Sequence, residues 1–202
     1  MKQDLFEAID IAIESGMMDI DELIEICKNE GITYGQAEVF LYSFDREKRF
    51  EFFIGLYNAV FSLQNNHIAT FNLFREAYCM SDNIYSQITS SKSSFNLKTF
   101  LNSIQAQGVN FISLMRDEEK KYYDGLPDLI KIYRGISYEE HLSKEYGISW
   151  SLSEEEAKNY VYFGKNNVGK DKGGLIDKDI YKKEVLTVFY VNGKNEIVYL
   201  IK

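Results

Sequence analysis

The apolar pattern of this chain changes once, at Pro127, the only proline among its 202 residues. Before it, apolar residues recur three and four positions apart, which is typical of helices that bury one face. After it, the apolar runs are short and are separated by Gly, Asn and Lys, which is typical of strands joined by turns. Helices followed by strands, without regular alternation, predict an α+β fold rather than a parallel α/β sheet.

The helical region contains start and stop signals. Asp21 is predicted to cap one helix, and Thr33 with Gln36 forms a capping box that opens the next. The long apolar pattern of Phe50–Phe74 predicts further helix, which the Ser-rich segment 89–94 interrupts.

Short strands are predicted in the second part of the chain. They are Leu129–Ile136, Gly147–Leu152, Val185–Val191 and Glu196–Ile201. Asn192-Gly193 lies between the last two, and Asn-Gly between apolar runs is the strongest short-range signal of a hairpin. Ser153 and Glu156 form a second capping box and predict a helix, whereas the Gly- and Lys-rich segment 164–179 is predicted to be a loop.

These signals predict an acidic helical region over residues 1–95 and a second region that contains the strands over residues 96–202, within one integrated globule. We expect the N-terminal helices to pack on a small, mostly antiparallel split β-sheet. The net charge is −8, and residues 1–60 hold 13 Asp/Glu against 5 Lys/Arg. Such a surface repels phosphate backbones. Solubility is the simpler explanation of this charge, and binding of a basic partner is the alternative.

Several classes of protein are disfavoured. Two cysteines, Cys27 and Cys79, do not make a disulfide framework, and neither a leader peptide nor a membrane-spanning run is evident. We therefore expect a cytoplasmic protein that does not bind membranes. His67 and His141 are isolated, so no metal site is predicted. The Gly-rich cradles that bind nucleotide phosphates in Rossmann and P-loop proteins are absent from the sequence.

Three short segments contain residues suited to chemistry. Arg134 interrupts an apolar strand, and a buried guanidinium needs a carboxylate or phosphate partner. Ser149 and Ser151 would share one strand face while Trp150 enters the core on the other. Glu196 begins an apolar strand directly after a tight turn. Taken singly, each has a simpler reading: an edge-strand Arg facing solvent, ordinary polar patterning, and a solvated strand-end Glu.

Together, the segments Tyr133-Arg134-Gly135, Ser149-Trp150-Ser151 and Lys194-Asn195-Glu196 resemble the arginine–serine–glutamate branch of the ADP-ribosyltransferase superfamily. That branch has an Arg on its first strand, a Ser/Thr pair on its second and a Glu before a later strand. Segments 147–160 and 184–201 are similar to small bacterial and phage members. The resemblance covers residues 129–201 and implies an NAD-dependent transferase that passes ADP-ribose to a macromolecule, in a bacterial or phage effector.

The resemblance also implies a role for each residue. Arg134 would bind an NAD phosphate or fix the nearby ribose, and Gly135 would present its backbone to the nicotinamide amide. Ser149 would orient Glu196, and Ser151 would brace the strand or contact ribose. Glu196 would bind the nicotinamide ribose and stabilise the positive charge that develops there. NAD is the only cofactor expected, used as a substrate without a metal.

Tyr160 and Phe163, on the helix after the serines, are candidates for the wall of the nicotinamide pocket, with core packing as the alternative. The expected acceptor is a protein target, and nucleic acid stays open as an acceptor. Lys194 departs from the pattern of arginine-modifying members, which have Glu at that place. Either the target is not arginine or another residue takes over this role. A lysine ammonium cannot accept hydrogen bonds from an incoming guanidinium.

Two further readings stay open. The first is an inactive transferase fold that binds a basic partner through its acidic helices. The segment 23–41 also suggests a helix-turn-helix adapter, although its acidity disfavours DNA binding.

Overall fold

A computed structural model describes residues 9, 11, 13, 16, 19–30, 32–63, 65–82, 84, 87–88, 94–162, 173–191 and 193–200. The chain divides into two compact units, Met1–Val109 and Asn110–Lys202. This division comes later than the 95/96 boundary predicted from the sequence. The difference arises because the helix Leu97–Ala106 places Phe100 against Phe53, Tyr57 and Phe74 of the first unit.

The first unit consists of helices. They are α1 (Ile20–Glu30), α2 (Tyr34–Ser43), α3 (Arg49–Ala59), α4 (His67–Cys79) and α5 (Leu97–Ala106), with a 3₁₀ turn at Phe61–Leu63. The capping box of Thr33 and Gln36 is confirmed. The predicted cap at Asp21 is wrong by two residues, because Asp19 Oδ1 accepts the N–H of Glu22 at 2.8 Å.

The apolar pattern of 50–74 does not form one helix. α3 ends at Ala59, and α4 begins after Asn66, whose side chain accepts the N–H of Ala69 at 3.2 Å. Apolar spacing continues through this break because α3 and α4 share one aromatic core. In that core Phe50, Phe53 and Phe74 lie with ring centroids 5.7–6.1 Å apart, a spacing that favours tilted and edge-on aromatic contacts.

The second unit combines helices and strands. They are α6 (Asp117–Asp124), β1 (Leu129–Ile136), α7 (Tyr138–Ser143), β2 (Ser149–Trp150), α8 (Glu154–Tyr162), β3 (Gly174–Tyr181), β4 (Thr187–Val191) and β5 (Lys194–Val198), with 3₁₀ turns at Phe111–Leu114 and Lys182–Glu184. The predicted strand 129–136 is confirmed, and the predicted strand 147–152 is shorter than expected.

The strands form two small antiparallel sheets. β1 pairs with β3, and the second sheet has the order β2-β5-β4. Among the described residues, one backbone bridge joins the two sheets, in which Tyr133 and Ser151 exchange hydrogen bonds of 2.8 and 2.9 Å. The α+β class and the antiparallel character of the sheets are therefore confirmed.

β3 corrects the prediction of a loop over residues 164–179. Residues 174–181 pair with the whole of β1, from Gly174 opposite Ile136 to Tyr181 opposite Leu129. The charged residues 177–179 hid the strand, because they separate its apolar residues into two pairs, Leu175-Ile176 and Ile180-Tyr181. Residues 164–172 of the predicted loop lie outside the described residues.

The β4–β5 hairpin follows the predicted turn. Val191 pairs with Lys194, and Gly193 has a φ of +81°, a conformation that glycine adopts without strain. Asn192 lies outside the described residues. The hairpin fixes the register that places Glu196 opposite Phe189, and the pairing of β2 with β5 places Ile197 opposite Trp150.

The core of the second unit lies on the face of β2 that carries Trp150. This indole is 2% exposed and packs in a cluster with Ile132, Val188 and Ile197. Ser149, with the opposite orientation on the strand, therefore faces away from this cluster. No helix in the described ranges is both long and apolar enough to cross a membrane.

Candidate active site

Arg134 is held in a defined position at the end of β1. Its Nη2 and Nε donate to Oε1 of Glu140 at 2.7 and 3.2 Å, and its Nη1 donates to the backbone carbonyl of Ser149 at 2.7 Å. The side chains of Arg134 and Glu140 are 20% and 17% exposed. The guanidinium therefore ties β1 directly to the backbone of β2.

A guanidinium carries five N–H donors. The three bonds just described leave one hydrogen on Nη1 and one on Nη2 without a partner among the described residues. Arg134 can therefore hold Ser149 and still donate to an anionic ligand.

Glu140 collects hydrogen bonds from several parts of the chain. Besides Arg134, its Oε1 accepts the N–H of Gly147 at 2.8 Å, and its Oε2 accepts the N–H of Ser137 at 3.1 Å. Ser137 Oγ in turn accepts the N–H of Glu140 at 3.2 Å, which completes a capping box at the start of α7. A carboxylate with this many donors is strongly oriented, so Glu140 fixes the connection from β1 to β2.

Gly147 is crowded by the same guanidinium. A Cβ atom at this position would lie 2.8 Å from Cζ of Arg134, which is closer than side-chain atoms approach one another. The absence of a side chain at Gly147 allows Arg134 to lie flat between α7 and β2.

Ser149 and Glu196 meet across β2 and β5. Ser149 Oγ donates a short hydrogen bond to Oε2 of Glu196. The register places Ser149 opposite Val198, and Glu196, two residues before Val198, projects from the same face. Both side chains are half-buried, so this carboxylate is oriented by the fold and still accessible.

Ser151 orients a second carboxylate. Its Oγ donates to Oε2 of Glu156 at 2.9 Å and accepts the N–H of Ser153 at 2.9 Å. Ser153 caps α8 as predicted, since its Oγ accepts the N–H of Glu156 at 3.2 Å. The carboxylate of Glu156, expected to complete a capping box with Ser153, accepts a hydrogen bond from Ser151.

Tyr160 lies on α8, four residues after Glu156, and is 57% exposed. Desolvation, followed by the negative charges of Glu196 and Glu156, raises its pKa. Desolvation, followed by the negative charge of Glu156, also raises the pKa of Tyr122. Both phenols therefore remain neutral to a higher pH than an ordinary tyrosine does.

The structure brings together most of the residues singled out in the sequence. Arg134 is hydrogen-bonded to Ser149, and Ser149 is hydrogen-bonded to Glu196. The charge of Glu196 contributes to the raised pKa of Tyr160. Gly135 lies in β1 opposite Leu175. Phe163 lies outside the described residues.

The sequence reasoning missed Glu140 as the partner of Arg134 and Glu156 as the partner of Ser151. A signal for Glu140 was available, because Ser137 and Glu140 have the spacing of a capping box. Glu156 was recognised only as a capping residue. No group of His, Cys, Asp and Glu that could hold a metal ion occurs within the part of the chain that the structure describes.

Comparisons of the chain with protein-family models, with curated proteins and with solved structures find no match.

Proposed function

We propose that this chain is an NAD-dependent ADP-ribosyltransferase with Glu196 as its catalytic carboxylate. The observation that carries the proposal is the hydrogen bond from Ser149 to Glu196, which joins two of the three segments that resemble the family. Arg134 adds support, since its Nη1 binds the carbonyl of the same serine. The three residues that the resemblance selects are thus neighbours in space.

Glu196 has the properties that this chemistry requires. When the bond between ribose and nicotinamide breaks, the ribose becomes oxocarbenium-like and positively charged. A carboxylate held in place before the reaction stabilises that charge without reorganisation. Ser149 supplies the fixed orientation, and the half-buried position strengthens the electrostatic interaction.

Arg134 would bind the pyrophosphate or the adjoining ribose. The hydrogens left on Nη1 and Nη2 are suited to phosphate oxygens, for which the guanidinium fork is complementary. Glu140 offsets part of the positive charge but also fixes the geometry. The proposed acceptor is a protein, and the proposed setting is a bacterial or phage effector.

The direct test compares wild type with Glu196→Gln. The substitution keeps the shape and removes the charge, so we expect nicotinamide release from NAD to fall about 100- to 1000-fold. NAD binding, measured by calorimetry, should change little, whereas Arg134→Ala should weaken it. Glu155→Gln, an exposed carboxylate on α8, is the matched control for loss of one negative charge.

Intact-mass spectrometry of candidate acceptors incubated with NAD would identify the transfer product. An inactive binding protein would tolerate Glu196→Gln without any change in its effect. Near-full NAD turnover by folded Glu196→Gln would reject Glu196 as the catalytic carboxylate.

A further inference from the structure

Two carboxylates are anchored by hydroxyls at β2 and directly after it. Ser149 lies in β2, and Ser151, the first residue after β2, is held in extended backbone by its bridge to Tyr133, so alternation along the backbone directs both hydroxyls to one side. The first hydroxyl donates to Glu196 from β5, and the second donates to Glu156 from α8. Two acids from different elements are therefore anchored by neighbouring hydroxyls.

Glu156 owes its orientation to the start of α8. Its N–H is capped by Ser153, and the N–H of Ser153 is bound by the same Ser151 hydroxyl that donates to the carboxylate. α8 packs against β1 and β3. The carboxylate is thus placed by contacts that are separate from those that place Glu196.

Tyr160 marks the accessible side of this arrangement. It lies four residues after Glu156 on α8, and residues with this spacing share a helix face. Its pKa is raised in part by the charges of both Glu196 and Glu156. Tyr160 is 57% exposed, and Glu156 and Glu196 are themselves only half-buried, so an acceptor can reach both carboxylates.

We propose that Glu156 is a second catalytic residue, the general base that deprotonates a hydroxyl acceptor as it attacks the ribose. This inference rests on the proposed NAD-dependent transfer. It assigns the acceptor to the class of O–H nucleophiles, of which water is the simplest member and a hydroxyl side chain of a protein another.

In this step the bond between C1 of the ribose and the nicotinamide nitrogen breaks, and its electron pair leaves with neutral nicotinamide. A lone pair of the acceptor oxygen forms the new bond to C1. The proton of that oxygen passes to the carboxylate of Glu156 and then to solvent.

Enzymes that cleave glycosidic bonds commonly use two carboxylates. One carboxylate stabilises the positively charged sugar, and the other activates the nucleophile. Ser149 and Ser151 separate the two roles, since each hydroxyl engages one carboxylate. This arrangement also supplies an acid–base group for the acceptor that does not depend on residue 194.

The experiment compares acceptors with and without a proton. Glu156→Gln retains a side-chain oxygen for Ser151 and removes the base. We expect transfer to water and to added methanol to fall about 100-fold, within the range of general base catalysis. Azide is an anionic nucleophile with no proton to lose, so formation of ADP-ribosyl azide by Glu156→Gln should stay within about threefold of wild type.

Controls separate this inference from the proposed function. Glu155→Gln should behave as wild type with every acceptor, and Glu196→Gln should be slow with every acceptor, azide included.

A wild-type chain that consumes NAD with none of these nucleophiles would reject the proposed function itself. If wild type is active but Glu156→Gln loses water, methanol and azide transfer equally, Glu156 has only a structural role and the inference is overturned. Unchanged transfer to water and methanol would overturn it as well.

Discussion

Gly147 shows how one position without a side chain supports the candidate site. The guanidinium of Arg134 occupies the space beside it, and the N–H of Gly147 binds the same Glu140 oxygen that Arg134 binds. The backbone at Gly147 and the side chain of Arg134 are therefore held in place by the same carboxylate. A methyl group here would have to displace a side chain that is held by three hydrogen bonds.

We predict that Gly147→Ala displaces Arg134. Overpacking of this kind costs about 1–3 kcal/mol, and NAD turnover should fall because Ser149 loses the donor on its carbonyl. Denaturant unfolding and nicotinamide release measure the two effects. Gly174→Ala is the control, since the one described atom that a Cβ there would meet is Cγ1 of Ile136, at an ordinary 3.9 Å. Equal behaviour of the two variants would show that Arg134 has room to move.

At the scale of elements, α6 is joined to β4 by a buried carboxylate. Glu119 is 1% exposed, and its Oε1 accepts the N–H of Tyr190 at 2.9 Å while its Oε2 accepts the N–H of Arg116 at 2.9 Å. The first bond reaches across 71 residues of chain. A helix terminus and a strand of the hairpin therefore share one anchor.

Glu119→Ala is predicted to destabilise the chain by about 1–3 kcal/mol, because two part-buried hydrogen bonds lose their acceptor and a fully buried unsatisfied donor costs about 1–3 kcal/mol. The free energy of unfolding in urea gives the measurement. Glu118→Ala removes an exposed carboxylate from the same helix turn and should change stability by less than about 0.5 kcal/mol. A loss below 1 kcal/mol for Glu119→Ala would contradict the role of this anchor.

Elements with strong local signals were predictable from the sequence. β1 has the predicted bounds, and the β4–β5 hairpin follows the Asn192-Gly193 signal. β3 was not predicted because its pairing with β1 compensates for a sequence rich in charge and glycine. Local pattern cannot show such compensation, since it comes from a strand nearly 40 residues away.

The same distinction applies to the candidate site. The order of Arg134, Ser149 and Glu196 along the chain indicated that they belong together, and the hydrogen bonds join them. Their remaining partners, Glu140 and Glu156, depend on where α7 and α8 pack. The helix caps were visible in the sequence. The sequence did not show which oxygen of a carboxylate binds the cap and which oxygen binds a neighbouring strand.

For the whole molecule, the thiol and the phenols with raised pKa values predict a loss of stability at alkaline pH. Burial raises the pKa of the Cys27 thiol from 9.0 to about 12, and desolvation raises the pKa of Tyr34, Tyr122 and Tyr160. The unfolded chain loses these protons at lower pH than the folded chain does. Their contribution to stability is therefore complete below pH 9 and declines above it.

We predict that the free energy of unfolding falls between pH 9 and pH 12, with Cys27 contributing up to about 1.4 kcal/mol per pH unit. Urea midpoints at pH 8, 9, 10 and 11 test this. Cys27→Ala lowers stability at every pH because it removes a buried side chain, but its decline with pH should be shallower. Parallel curves for the two proteins would show that the thiol does not contribute to the pH dependence.

The ion pair of Arg134 and Glu140 restricts how this sequence can diverge during evolution. Loss of either partner leaves the other as an unbalanced, largely buried charge, which is a costly state. Substitutions at the two positions should therefore be strongly non-additive. In descendants of this chain, Arg134, Glu140 and Gly147 should be inherited or replaced as a set, so that an alignment of such descendants would show the three positions covarying even where the surrounding surface has drifted.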